Sequence, residues 1–386
     1  MSRRVILIGV IACSAAYGAD EVGRSGWGRS GRDIVVRAAV EVIPADVRSL
    51  FLRHQDELLE RAVEPELVWP KQPPMSDRSG WHYVELDIAA AGDSSEARLA
   101  AAEQFPRHKT ALRRYFTRYG GKPTGVLPWT LIEHYDALVE AFAEGTQDDV
   151  IRLSGYIMHF SGDAASPFAV SRHAMNSHAG LLADVDVPLG DRSYAHRSAG
   201  HRLFGELVRR NRVRYGKLID LAAVDYDPVE DPRQRVFAVV TESLQLLETA
   251  IQAEQSCAGT MSLGTVSDLV ERADQYYVLL DESGGPFCMG RLRRASLLAA
   301  NLIGGAWQAA GEPSLQEIRA RGSIPGKPKP ELVQEGNLVG SRHSTVFHNP
   351  DCRYAKNISP DNLVYFDSAL DARRNGRRQC RSCKPE

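Results

Sequence analysis

The sequence predicts a large all-α domain joined through a proline-rich stretch to a small α+β domain. Three observations carry this reading. Apolar residues recur at three- and four-residue spacing through most of residues 22–318, strand-like alternation is scarce there, and His348 and three cysteines gather in the segment from Leu338 onward. The chain has 386 residues, 43% hydrophobic and 25% charged, which excludes a disordered, collagen-like or coiled-coil protein. At roughly 100–200 residues per domain, this length allows two or three domains. A formal net charge of −2 gives no global case for a nucleic-acid or anionic-membrane partner, and six cysteines are too few for a disulfide scaffold.

The chain opens with Ser2-Arg3-Arg4, then the apolar run from Val5 to Ala12, then small residues. This pattern predicts a signal peptide over residues 1–18, cut after Gly18, and hence an exported protein. Val10-Ile11-Ala12-Cys13 loosely resembles a lipobox, which makes a lipid anchor on Cys13 a second route to the same compartment. The run is too short to span a bilayer, which takes about 20 apolar residues. No later stretch approaches that length, so the mature chain is expected to be periplasmic, secreted or lipid-anchored.

Helical periodicity covers Val35–Ala62, Pro128–Phe142, Asp148–Ser166, His201–Leu221, Arg235–Ala253 and Leu292–Gln308. Between 319 and 337 the run Ser323-Ile324-Pro325-Gly326-Lys327-Pro328-Lys329-Pro330 denies both helix and central strand and reads as a linker. Cys257 and Cys288 flank a helical pair and are a disulfide candidate in an oxidising compartment, with two buried thiols as the alternative. Trp129 after Leu127-Pro128 reads as a helix-start anchor, Tyr276-Tyr277 as core, and His54, His108 and His134 as surface residues. The acidic stretch Asp225 to Pro232 reads as a loop.

In the tail, His348 and Cys352 are followed after a spacer by Cys380-Arg381-Ser382-Cys383. A Cys-x2-Cys pair chelates through one tight turn, and a second pair completes a tetrahedral cage suited to zinc. Four protein donors leave no open position, so such an ion is structural. A disulfide among the three cysteines is the competing reading. From Leu338 onward nine basic residues face five acidic ones, and Arg373, Arg374, Arg377, Arg378 and Arg381 form a cluster that suits phosphate or an anionic surface. A solvated helix face is the plainer explanation.

Val339-Gly340-Ser341, Val346-Phe347-His348, Ala355, Ile358, Asn362, Phe366, Ala372, Gly376 and Cys380 to Pro385 together resemble the metal-binding domain of the Ada DNA-repair protein. The resemblance implies zinc held by His348, Cys352, Cys380 and Cys383. In that family the first ligand is a cysteine that accepts a methyl group from damaged DNA phosphates. His348 stands there in this chain, so methyl transfer is not expected.

The large segment places His159 and Asp163 one turn apart on one helix face, and isolated histidines occur in His82-Tyr83-Val84-Glu85-Leu86-Asp87 and Gly200-His201. Together with Gly26-Trp27-Gly28-Arg29-Ser30-Gly31, Glu64-Pro65-Glu66, Gly125 to Trp129, His159 to Pro167 and Leu292 to Gly311, these stretches resemble the zinc-dependent phospholipase C superfamily, which includes the single-strand-specific zinc nucleases. The likeness spans about residues 26–315. It implies a helical fold with an ion at Glu66, His82, His159 and Asp163, and a part of a further site at His201. Other ligand positions hold Arg32, Ala169 and Gly205, with His173, His178, His196 or Glu206 as possible substitutes. The resemblance thus implies one zinc in the helical domain, Asp163 among the catalytic groups, and Arg32 paired with a phosphate in place of a lost ion. Two functions follow from it. One is a divergent metal-dependent hydrolase of phosphoester bonds, acting on phospholipid or nucleic acid; the other is a non-catalytic phosphate-, anion- or nucleic-acid-binding protein on the same fold.

Overall fold

A computed structural model describes residues 27–69, 75–119, 125–172, 199–263 and 266–321, and in the tail 338–341, 344–350, 352–358, 362–366, 369–374 and 377–385. Residues 1–26, with the expected signal peptide and Cys13, and residues 322–337 of the linker lie outside this set. So do His173, His178 and His196. The chain divides into two compact units, residues 1–327 and 328–386.

Every regular element among the described residues of the first unit is a helix. Helix α1 (Gly28–Val42) ends at Ile43-Pro44, and α2 (Ala45–Arg53) begins beyond that proline. Next comes α3 (Gln55–Leu67), so the single helix expected over Val35–Ala62 is three. Pro44 has no N–H to continue α1, and His54 breaks the α2–α3 junction with φ −107° and ψ 22°. A 3-10 segment (Met75–His82) leads to α4 (Ser95–Glu103) and α5 (Lys109–Arg118). Helices α6 (Leu127–Ala143) and α7 (Gln147–Ala165) form a hairpin. Pro128 opens α6, where a missing N–H costs nothing, and a reciprocal Thr146–Asp149 capping box opens α7.

After residue 198 a π-helical turn, His201–Leu207, runs into α8 (Val208–Leu218). Then follow α9 (Pro232–Gln245), α10 (Leu247–Thr260), α11 (Val266–Glu271), the long α12 (Ala273–Ala309) and α13 (Leu315–Ala320). Asp231 caps α9 by accepting from the N–H groups of Arg233 and Gln234. Periodicity identified only the second half of α12, because Ser283-Gly284-Gly285-Pro286 interrupts its pattern. Pro286 sits inside the helix and leaves the carbonyl four residues earlier without its usual donor.

Helix α7 is the centre of this unit. It packs against α3, α6 and α12, and every residue from Leu153 to Ala165 is buried. Ser243 Oγ on α9 donates to the Ala164 carbonyl, and Arg291 Nε on α12 donates to the Ala165 carbonyl, so orphan carbonyls at the end of α7 are satisfied by side chains. Trp129 Nε1 donates to the Arg107 carbonyl, fixing the start of α6, and Tyr276 and Tyr277 are buried in the core. The acidic stretch before α9 is a loop. His108 is exposed, His54 is half-buried, and His134 departs from the surface position expected of it. Its ring packs edge-on against Trp81 and Tyr156 and lies beside Phe160, because an aromatic cluster under α6 needs a flat partner there.

Cys257 and Cys288 do not form the disulfide that their spacing suggested. Each is a buried thiol turned to a different acceptor, Cys257 to the Tyr276 carbonyl at 3.3 Å and Cys288 to the Leu203 carbonyl at 3.4 Å. Burial raises the pKa of both, that of Cys257 to about 12, so neither is a ready nucleophile. No helix among the described residues is long and apolar enough to cross a membrane.

The second unit is a small α+β domain. Its strands β1 (Leu338–Ser341), β2 (Val346–His348), β3 (Leu363–Phe366) and β4 (Arg378–Gln379) lie in the order β3-β1-β2-β4. Strand β1 is antiparallel to β2 and β3, while β4 runs parallel to β2, and α14 (Ala369–Arg374) precedes β4. Alternation along β1 sends Leu338 to a cluster with Phe347, Phe366, Ala369 and Ala372, and Val339 to one with Cys352, Ala355 and Cys380.

One close approach gives a test of the helical packing. A Cβ on Gly155 of α7 would lie 2.3 Å from the Arg61 Cβ and 3.0 Å from the Leu58 carbonyl on α3. Gly155→Ala should therefore destabilise the helical unit by about 1–3 kcal/mol, an overpacking cost that outweighs the gain in helix propensity. Thermal unfolding followed by circular dichroism would show it as a lower Tm.

Candidate metal centres

The tail brings its four predicted ligands together. The ligand atoms of His348, Cys352, Cys380 and Cys383 all lie within 4.8 Å of one another. Local structure explains how. His348 ends β2, a turn brings in Cys352, and the Cys380 N–H donates to the Phe347 carbonyl at 2.9 Å, pinning the second pair beside the first. The Ser382 N–H points to the Cys380 sulfur and the Asn349 N–H to the Cys383 sulfur, each at 3.4 Å, which favours thiolate. All three cysteines are free, so the alternative disulfides do not form. His348 is buried, yet its Nδ1 has no hydrogen-bond partner. A buried, unpartnered nitrogen in a residue grouped with three sulfurs fits a cation, and three soft donors with one imidazole suit zinc in tetrahedral geometry.

Within the basic cluster, Arg377 is spent inside the domain. Its Nη1 donates to the Ser341 carbonyl at 2.5 Å and also to the Ser344 carbonyl, with the guanidinium 5.5 Å from the Phe366 ring centroid. Arg373, Arg378 and Arg381 remain exposed.

In the helical unit, His82, His159 and Asp163 form a second group whose ligand atoms lie within 4.8 Å of one another. His159 Nδ1 is 2.6 Å from the Ala62 carbonyl. A carbonyl only accepts, so Nδ1 carries the proton and Nε2 presents its lone pair to the cluster. His82 Nδ1 lies 2.9 Å from Asp163 Oδ2 and 3.0 Å from His159 Nε2, and that Oδ2 is 3.2 Å from His159 Nε2. With no ion present, a proton on His82 Nδ1 satisfies these acceptors. A divalent ion replacing that proton meets two imidazoles and one carboxylate oxygen.

His159 and Asp163 are fully buried and His82 is 9% exposed. Burial, with Arg32 beside it, pushes the His159 imidazole down and keeps it neutral. Burial alone would raise the Asp163 carboxyl, but the Arg32 guanidinium and the two histidines override it and hold it well below the usual carboxylate range.

Arg32 does not stand open as a phosphate clamp. It is buried in α1, its Nη2 2.5 Å from Asp163 Oδ1 and its Nη1 donating at 2.6 Å to the His159 carbonyl, so both terminal nitrogens are engaged within the protein. Glu66 is not part of the three-donor group. Its Oε2 faces the same guanidinium at 3.7 Å, because Arg32 enters between the two carboxylates. His201 begins the π-helical turn and lies outside the group, and Glu206, weighed as a substitute ligand, is held by Arg209 and Arg210.

Sequence reading missed two participants. The Ala62 carbonyl has no residue signature. Gly162 had one, a glycine inside a buried helix just before an acid. A Cβ there would lie 2.3 Å from Arg32 Nη1, and its carbonyl accepts the Trp27 indole N–H at 2.7 Å.

A compact α+β unit closed by one histidine and three cysteines defines the tail as a small zinc domain. Residues 334–386 match the family model of the metal binding domain of Ada. The tail is an Ada-type domain with a zinc site at His348, Cys352, Cys380 and Cys383. No curated protein matches the chain.

Chelation of the tail zinc should unfold that domain, since structural zinc typically contributes about 10–16 kcal/mol of apparent binding free energy in small domains. Amide exchange across 338–385 should accelerate while helix α7 stays protected, and Cys380→Ser should lower zinc content by one ion per chain. A second test follows from the buried histidines. Burial pushes His134 down to about 4 and lowers His159 as well, whereas in the unfolded chain both titrate near 6.5. The folded value lies below the unfolded one, so the unfolded state binds more protons, and stability present above 6.5 is lost as pH falls towards 4. Urea midpoints should fall over this window. His134→Gln should make that fall smaller, by up to about 3 kcal/mol at its full extent.

Proposed function

We propose that the helical unit is a divergent metal-dependent phosphoester hydrolase working with one divalent ion at His82, His159 and Asp163, in an exported protein that carries the Ada-type zinc domain as a structural appendage. The observation that supports this most is the His159 ring, locked by the Ala62 carbonyl so that Nε2 faces Asp163 Oδ2 and His82 Nδ1. The likeness of residues 26–315 to the phospholipase C and zinc nuclease superfamily supplies the phosphoester class. A divalent ion there would supply Lewis acidity and lower the pKa of its water. Asp163 holds its charge without a proton, and His82 is the one of the three whose side chain keeps some exposure, 11% against none for the other two. Export rests on residues 1–18.

A polyanionic chain suits the surface better than a bilayer does. Between Glu103 and Glu133 there is no Asp or Glu, while Arg107, Lys109, Arg113, Arg114, Arg118 and Lys122 all fall there. On α5 the side chains of Arg113, Arg114 and Arg118 are exposed and have no ion partner among the described residues, whereas the apolar Leu112 and Phe116 are buried. Tyr115 and Tyr119 stand 4.8 Å apart, half-buried, with Arg118 against the Tyr119 ring. Guanidinium groups beside half-open aromatics suit a single-stranded nucleic acid.

The second reading, a non-catalytic binding protein on this fold, is favoured by the burial of His159 and Asp163 and by the internal engagement of Arg32. Hydrolysis of bis(p-nitrophenyl) phosphate, a thymidine 20-mer and phosphatidylcholine vesicles by the zinc-loaded full chain separates the two. The hydrolase should cleave at least one of them, and its activity should fall about 100-fold or more in both His159→Ala and the milder His82→Ala. Metal uptake without cleavage of any substrate would establish the binding protein instead.

A further inference from the structure

We infer that Arg32 is a fixed internal cation that limits the helical centre to one metal ion, and that Glu66 serves as its charge partner and not as a ligand. The inference rests on the metal-binding reading above and deepens it. Two buried carboxylates, Asp163 at 0% and Glu66 at 5% exposure, converge on one guanidinium, with Nη2 2.5 Å from Asp163 Oδ1 and 3.7 Å from Glu66 Oε2. Two buried carboxylates that both keep their charge need a cation near them, since each unpaired charge costs several kcal/mol. Here the cation is covalent.

Its place is built and not incidental. Gly162 leaves the gap through which the guanidinium crosses α7, since a Cβ there would sit 2.3 Å from Nη1, and the His159 carbonyl holds that same nitrogen at 2.6 Å. The Asp163 carboxylate is thereby divided. Oδ1 is committed to Arg32, while Oδ2 faces His82 and His159, so Asp163 offers a single oxygen and does not bridge two ions. The count of carboxylates agrees with this. One guanidinium against two carboxylates, Glu66 and Asp163, leaves one carboxylate charge unmatched, which suits one divalent ion.

The test is zinc content per chain in the full-length protein after reconstitution and gel filtration, read beside Tm with and without added zinc. Wild type should hold two ions, one in the tail and one in the cluster. Arg32→Ala should hold three and gain more Tm from zinc than wild type does, because Glu66 and Asp163 then need a new cation. Arg32→Lys, which restores the charge, should return to two. Arg32→Ala folded with two ions, Arg32→Ala that zinc fails to fold, or Arg32→Lys with three ions would each overturn the inference and leave the one-ion hydrolase standing. Wild type with three ions also overturns it. Wild type with one ion removes the cluster as a metal site and takes both readings with it.

Discussion

The helical unit is organised around a buried ion pair, Arg32 of α1 with Asp163 of α7. Neither group sees solvent, and breaking such a pair by removing one partner typically costs about 3–5 kcal/mol because the other charge is left uncompensated. Much of the surrounding geometry serves to hold it. Gly162 opens the path for the guanidinium, the Trp27 indole ties to the Gly162 carbonyl, and the Trp27 ring stacks on Phe204 of the π-helical turn at 4.3 Å. That turn also sends Arg202 to the buried Glu254, where Tyr276 donates its hydroxyl. A charge pair thus joins α1 to α7, and a second joins the π-helical turn to α10, with α12 tied in by the Tyr276 hydroxyl.

Sequence periodicity found the helices whose apolar stripe is uninterrupted, such as α6 and α7, because one repeating face buried against neighbours leaves a regular record. It failed where buried small residues or a proline break the stripe. Helix α12 carries Gly284, Gly285 and Pro286 in its first half, and packing there, including the close fit of Gly284 against Leu203, overrides weak local propensity. In the opposite direction, a continuous pattern over Val35–Ala62 concealed two breaks, since Pro44 and His54 interrupt the helix without interrupting its apolar face.

The candidate site was partly legible for a similar reason. His159 and Asp163 share a helix face, so spacing alone placed them together, and His82 joined them from a distant segment. Glu66 and Arg32 were placed by resemblance, and a resemblance does not report which of two carboxylates a guanidinium will claim. Only the geometry shows Arg32 between them, with Nη2 closer to Asp163. In the tail the sequence sufficed. Three thiolates and an imidazole in about 49 residues leave few other ways to make a stable fold, since so short a chain buries little surface without a metal.

The two centres differ in what they would cost without an ion. In the tail, His348 Nδ1 is buried and lacks any protein partner, so the folded state without metal carries an unsatisfied polar atom beside three sulfurs. In the helical unit His159 Nδ1 has the Ala62 carbonyl, His82 Nδ1 serves both Asp163 Oδ2 and His159 Nε2, and Asp163 Oδ1 has Arg32. Those groups satisfy one another, and the apolar core around them is extensive. The tail therefore has an unpartnered nitrogen that a zinc ion would satisfy, whereas the three donors of the helical unit already have partners within the protein. An ion at His82, His159 and Asp163 would have to displace the proton that His82 Nδ1 shares with Asp163 Oδ2 and His159 Nε2, and its binding would carry that cost.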